Sequence, residues 1–204
     1  STPRSCSPRR TAPSAAEQPV ARLVYAGITS LDGYTVDADG SFEWAAPDDE
    51  VHAFVNDLER GVGTYLYGRR LYETMRVWQT VPEDEGPEVA RDFGRLWREA
   101  DKVVYSATLA EVTTPRTRLE RTFEPSAVRA LVDAADRDVS VGGATLAAAA
   151  LRAGLVDELH QLLHPVVVGG GTPYLPGGVH LDLELLGERR FGSGVVHLHH
   201  AVLR

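Results

Sequence analysis

"DVSVGGATLAAAALRAG", residues 138–154, sets a β-branched run against an alanine-rich helical stretch, with Gly142-Gly143 at the seam. Glycine weakens regular structure unless the backbone must turn sharply or let another group approach closely. An apolar run that passes into a helix through two glycines reads as the strand–turn–helix unit of an α/β sheet. The helix opens with backbone N–H groups that have no intrahelical partner. Ala144 and Thr145 come next, small enough to leave those groups accessible, and the Thr145 hydroxyl adds a donor. Close packing of the helix on a sheet would also favour small residues here, so two readings stand.

The alternation extends in both directions. Residues 22–29 form a short strand pattern ending at the turn "SLDG". In 47–61, Val51, Phe54, Val55 and Leu58 recur at helical spacing behind an acidic first turn. Strand "TYLYG" (64–68) leads straight into helix "RRLYETM" (69–75), and helix 88–100 into strand 102–106. A weaker strand (116–123), a helix (126–135), a strand within 155–171 and two late strands (181–191 and 194–204) complete the pattern. Strands alternating with helices predict one α/β domain over 22–204. The sheet is expected to be mostly parallel with helices on both faces, and the closing pair to form an antiparallel C-terminal edge.

A formal net charge of -8 over 204 residues argues against nucleic-acid and anionic-membrane binding, which need clustered Lys and Arg. Every apolar run is interrupted short of the ~18 residues of a membrane helix. Cys6 is the only cysteine, so no intrachain disulfide forms and a cytoplasmic setting is expected. Residues 1–21, rich in Ser, Pro, Ala and Arg near the start, read as a disordered leader outside the fold.

Three turns could receive a phosphate. Gly68-Arg69-Arg70 places two guanidinium groups in the first turn of a helix, where the dipole favours an anion. Gly142-Gly143-Ala144-Thr145 is the second, and Gly169-Gly170-Gly171-Thr172-Pro173 the third. None has the Walker A spacing or the G-x-G-x-x-G spacing.

"ITSLDGY" (28–34), "YGRRLYETM" (67–75), "KVVYSATL" (102–109), "VGGATLAAAALRAGLVDEL" (141–159) and "HPVVVGGGTPYL" (164–175) occur in this order. Together they resemble the dihydrofolate reductase-like superfamily, in the bacterial branch related to the riboflavin-biosynthesis reductase domain. The resemblance implies a dihydrofolate reductase-like α/β fold, with a central, mostly parallel eight-stranded sheet flanked by helices and NADPH lying across the strand ends. Gly142, Gly143, Ala144 and Thr145 would lie under its pyrophosphate, with the Gly142–Gly143 peptide cis. Gly68, Arg69 and Arg70 would lie against the phosphates, Ser106 near the 2′-phosphate, and Thr172 near cofactor or substrate. Ala107 stands where relatives often carry a basic or hydroxyl residue, which loosens the expected preference for NADPH over NADH.

At the substrate end, Trp44, Pro47 and Asp49 match the tryptophan, proline and helical carboxylate that hold the ring in dihydrofolate reductases. Asp32 falls where the nicotinamide should lie. Asp49 also fits an ordinary acidic first turn, and Asp32 an Asp-Gly turn. Arg76 is the candidate clamp for a substrate carboxylate. The usual riboflavin-pathway motif is replaced by "LERGVGTYLYGRRLYETM" (58–75). The implied activity is NADPH-dependent hydride transfer to a pterin, pyrimidine or similar heterocycle, with Asp32, Trp44 and Asp49 at the reacting end. A riboflavin-pathway reductase and a non-catalytic ligand-binding protein are the rivals. A homodimer is expected, as in many members of this branch. No metal site is expected, because His160 and His164 on one strand are too far apart to share an ion.

Overall fold

The computed structural model describes residues 20–204, so the predicted leader and Cys6 lie outside the described residues. Among the described residues, ten strands and five α-helices alternate. The strands are β1 (Leu23–Ser30), β2 (Tyr34–Val36), β3 (Val62–Gly68), β4 (Asp101–Tyr105), β5 (Thr117–Glu120), β6 (Asp138–Gly142), β7 (Glu158–His164), β8 (Thr172–Pro173), β9 (Leu183–Arg190) and β10 (Val196–Val202). The helices are α1 (Asp49–Glu59), α2 (Arg69–Met75), α3 (Glu88–Glu99), α4 (Pro125–Asp133) and α5 (Ala144–Arg152).

Eight strands form one sheet, as the resemblance implies, and their order is β5-β4-β3-β6-β1-β7-β10-β9. The first six run parallel, and β10 lies antiparallel to both of its neighbours. The short strands β2 and β8 pair in a separate clasp that the sequence pattern does not reveal.

Apolar residues alternate along the strands, so each face finds its own helices. Leu23, Leu66, Val103, Val139 and Leu159 pack with Val128 and Val132 of α4 and Ala147, Ala150 and Leu151 of α5. Tyr65, Tyr67 and Val104, on the opposite face, pack with Phe93 and Trp97 of α3. A third cluster joins Val51 and Phe54 of α1 to Leu162, Phe191 and Val195. Tyr174 stacks on Tyr25 at 4.3 Å, and the Tyr174 hydroxyl donates to the Tyr25 carbonyl at 3.0 Å. Gly27 must be glycine for this arrangement, since a Cβ there would lie 2.7 Å from the Tyr174 ring.

One irregularity prepares a site. Strand β1 pairs with β7 along all seven positions from Val24 to Ser30, but with β6 only at Leu23 and Val24. Beyond them β6 stays with β3 as far as Gly142, while β1 stays with β7 as far as His164. The sheet therefore parts between β1 and β6 at their carboxyl ends, the position where open α/β sheets bind ligands.

Candidate active site

The glycines at the opening seam do two different jobs. A Cβ on Gly142 would come within 2.5 Å of Leu71 Cδ2 and 3.1 Å of the Tyr67 ring, so Gly142 is small because α2 packs against it. Gly143 turns the chain into α5 at φ 90°, a conformation that disfavours side chains. No peptide bond among the described residues is cis, so the expected cis Gly142–Gly143 bond is trans. The reversal that a cis bond would supply is made by the positive φ of Gly143.

Register brings two of the three predicted phosphate turns, those at Gly68 and Gly142-Gly143, side by side. Tyr67 pairs with Gly142 and Gly68 with Tyr105, which aligns the ends of β6, β3 and β4. The Gly68 nitrogen lies 3.9 Å from where a Gly143 Cβ would stand. No side chain caps either Gly68 or Gly143, and Thr145 is exposed in the first turn of α5. Arg69 is held by Glu73 at 2.8 Å and donates to the Thr108 hydroxyl at 3.2 Å. Arg70 is exposed beside it and makes no side-chain hydrogen bond or ion pair among the described residues.

Ser106 follows β4 directly, and its hydroxyl accepts from the N–H groups of Thr108 and Leu109 at 3.3 and 3.0 Å. Arg121 braces this loop by donating to the Ser106 and Ala110 carbonyls at 3.2 and 3.3 Å. Thr108 and Arg121 thus place a hydroxyl and a guanidinium in the loop that holds Ala107. The sequence reading passed over both: Thr108 lies one position beyond the expected site, and Arg121 arrives from a different strand.

The substrate-end predictions separate. Asp32 accepts from the backbone N–H groups of Val168 and Gly169 at 3.1 and 2.8 Å, tying the turn after β1 to the glycine loop. The Ser30 hydroxyl, together with those N–H groups, holds its carboxyl below the usual range. Asp49 opens α1 as an exposed residue, while Asp48 is the cap, accepting from the Val51 N–H at 2.9 Å. Thr172 pairs with Val36 in the clasp, and its carbonyl accepts from the Thr35 hydroxyl at 3.1 Å. Arg76 lines a surface depression with Glu73, Val77, Thr113 and Thr114.

Trp44 sits in a short 3-10 turn (Glu43–Ala45), its ring edge-on to His164 at 6.3 Å. Trp44 Nε1 and His164 Nε2 are both shut off from solvent without a hydrogen-bond partner. His164 itself is 6% exposed, and burial lowers its pKa, favouring the neutral ring. His164 ends β7 opposite Ser30, beside the tryptophan expected at the substrate end. Only the β7–β1 register could have disclosed this.

The fold is that of an open α/β protein of the dihydrofolate reductase-like class, with its two central strands, β1 and β6, unpaired beyond Val24. The chain belongs to the RibD C-terminal domain family, whose sequence model matches residues 21–197. It is 28% identical over 180 residues to the uncharacterized protein YyaP of Bacillus subtilis (strain 168), covering 87% of this chain and 93% of that one. A protein from Shewanella sp. PV-4, whose name places it in riboflavin biosynthesis, superposes with a TM-score of 0.69 at 19% identity, covering 90% of this chain and 99% of that one. Dihydrofolate reductase from Enterococcus faecalis, complexed with NADP(H), superposes with a TM-score of 0.58 at 11% identity over 90% and 97% of the two chains. At these identities the likeness to both structures is one of fold.

No helix among the described residues is long and apolar enough to cross a membrane.

Proposed function

We propose that this protein is an NADPH-dependent reductase that delivers hydride to a planar, pyrimidine-like heterocycle. The parting of β1 from β6 carries the reading. On one side of that cleft stand the uncapped turns at Gly68 and Gly143, with Arg69, Arg70 and Ser106; on the other stand Trp44 and His164. The ends of β4, β3, β6, β1 and β7 together span about 19 Å, the reach of an extended dinucleotide plus part of a substrate. Backbone N–H groups of α5 and the Arg69 guanidinium would take the pyrophosphate. Arg69, Thr108 and Arg121 would take the 2′-phosphate. The bound cofactor supplies the hydride, and the chain supplies orientation and exclusion of water.

Trp44 and His164, edge-on to each other, would flank the substrate ring. Asp49 is exposed and Asp32 is engaged by backbone N–H groups, so neither resembles the buried carboxylate of a dihydrofolate site. This favours a riboflavin-pathway type of aminopyrimidine over a pterin, in keeping with the family. We take the protein to be cytoplasmic and a homodimer, with exposed Leu183, Leu185 and Leu186 on edge strand β9 as the apolar surface for a second copy.

The test is nucleotide binding by quenching of tryptophan fluorescence, followed by NADPH consumption with a ribosylated aminopyrimidine and with dihydrofolate. Wild type should bind NADPH more tightly than NADH and consume it with the aminopyrimidine. Arg69→Ala should weaken NADPH binding about 10- to 100-fold, as expected for a lost charge-assisted contact. Binding of neither nucleotide would sink the proposal. Tight nucleotide binding with no turnover of any heterocycle would favour the non-catalytic rival.

A further inference from the structure

The other end of β7 carries a second group of chemistry-bearing side chains. In the antiparallel pairing His160 faces His199 and Leu162 faces His197, while Glu158 shares their side of the sheet two residues earlier on β7. The rings of His160 and His199 stack at 4.0 Å. His199 Nε2 lies 2.9 Å and His160 Nε2 3.8 Å from Glu158 Oε2. One donor atom from each of the three residues falls within 4.8 Å of the other two.

We infer that Glu158 Oε2, His160 Nε2 and His199 Nε2 form a three-ligand site for a late first-row divalent cation of the zinc class. Two imidazoles and one carboxylate are a donor set that such ions accept, with bond lengths near 2.0–2.2 Å. Tetrahedral coordination at those lengths needs donors about 3.4 Å apart. The two distances from Glu158 bracket that value, and the stacked His160 and His199 rings, 16° from parallel, must tilt for both Nε2 lone pairs to converge on one ion.

The surroundings orient these ligands. His160 Nδ1 is 3.0 Å from His197 Nε2; in the tautomer with the proton on Nδ1, His160 donates this bond and its Nε2 lone pair is left for a metal. Arg22 pairs with the other carboxylate oxygen, Glu158 Oε1, and is itself fixed by Asp138 at 2.9 Å. Glu158 thus has one oxygen committed and one pointing at the histidines. The His199 side chain is 24% exposed, against 10% for the other two, which gives an ion a route in from the surface. The site joins β7 to β10 at the end of the sheet remote from the cleft, so its role is to pin those strands and leaves the proposed chemistry untouched.

Cobalt(II) is the probe, added to the full chain after chelator treatment, with Zn²⁺ as competitor. The expected result is one equivalent per chain, with the intense visible bands of four-coordinate cobalt, displaced by Zn²⁺ and accompanied by a higher Tm. His199→Ala should weaken binding about tenfold or more. His200→Ala, on the opposite face of β10, should leave it unchanged. Because Glu158→Gln or His160→Ala could unfold the strand pair, the ring nitrogens of wild type are followed by NMR as Zn²⁺ is added. Shifts confined to Nε2 of His160 and His199 support the site. Absence of saturable binding, unchanged affinity in His199→Ala, or shifts only at exposed His180 would overturn it.

Discussion

Strand β1 has two edges with opposite fates. Toward β7 it is bonded through seven residue pairs; toward β6 through two. The first edge satisfies backbone groups within the sheet, as burial requires. The second frees the strand ends to diverge and puts glycine turns on one lip and aromatic rings on the other. The two ends of the sheet differ in the same way. At the carboxyl end, turns without side-chain caps gather. At the amino end, Arg22, Asp138 and Glu158 bind three neighbouring strands into one network. Stability and binding have been assigned to different edges of the same strand.

The comparison can be broken hardest at the clasp that closes the carboxyl end. Gly171 has φ 132°, and a Cβ there would sit 2.0 Å from the Val36 carbonyl oxygen. Gly171→Ala should cost about 3–5 kcal/mol, from backbone strain plus overpacking, read as a fall in the denaturant midpoint. A change under about 1 kcal/mol would show that the clasp contributes little.

At the amino end the prediction concerns pH. Glu59 closes α1, its Oε2 is shut off without a partner, and burial raises its pKa from 4.5 to about 7. The unfolded chain ionises this group first as pH rises, so it costs nothing below about 4.5. Its destabilising effect grows between 4.5 and 7 and is constant above. The full effect is about 3 kcal/mol, and Glu59→Gln should remove it. Stability curves of wild type and variant should therefore differ in slope over that window; parallel curves would refute the assignment.

A milder change sharpens the contrast between the edges. Tyr174→Phe removes the hydroxyl that donates to the carbonyls of Tyr25 and His160, at 3.0 and 3.3 Å, while keeping the ring stack. Stability should fall by about 1 kcal/mol, with nucleotide affinity unchanged if the β1–β7 edge is independent of the cleft. A matching loss of NADPH affinity would mean the two edges are coupled.

Much of this was legible in one dimension. The apolar runs "DVSVGG" and "TYLYG", the helical spacing of Val51, Phe54, Val55 and Leu58, and the glycines at the turns into α2 and α5 suffice for the alternation of the main strands and helices, a mostly parallel sheet and an antiparallel edge, but not for β2 and β8. These are local signals, read from periodicity and backbone freedom. The turns at Gly68, Ser106 and Gly143 could also be located in this way, because each ends a strand.

What the sequence could not assign is which partner each polar side chain would find. Asp32 went to two backbone amides 136 and 137 residues away, and Asp49 stayed at the surface. His164 joined Trp44, and His160 met His199 across strands instead of His164 along one. Local pattern determined which elements form and where they turn. Strand order and register decided which side chains meet, because that choice minimises the free energy of the whole sheet, and a short window of sequence carries no record of it.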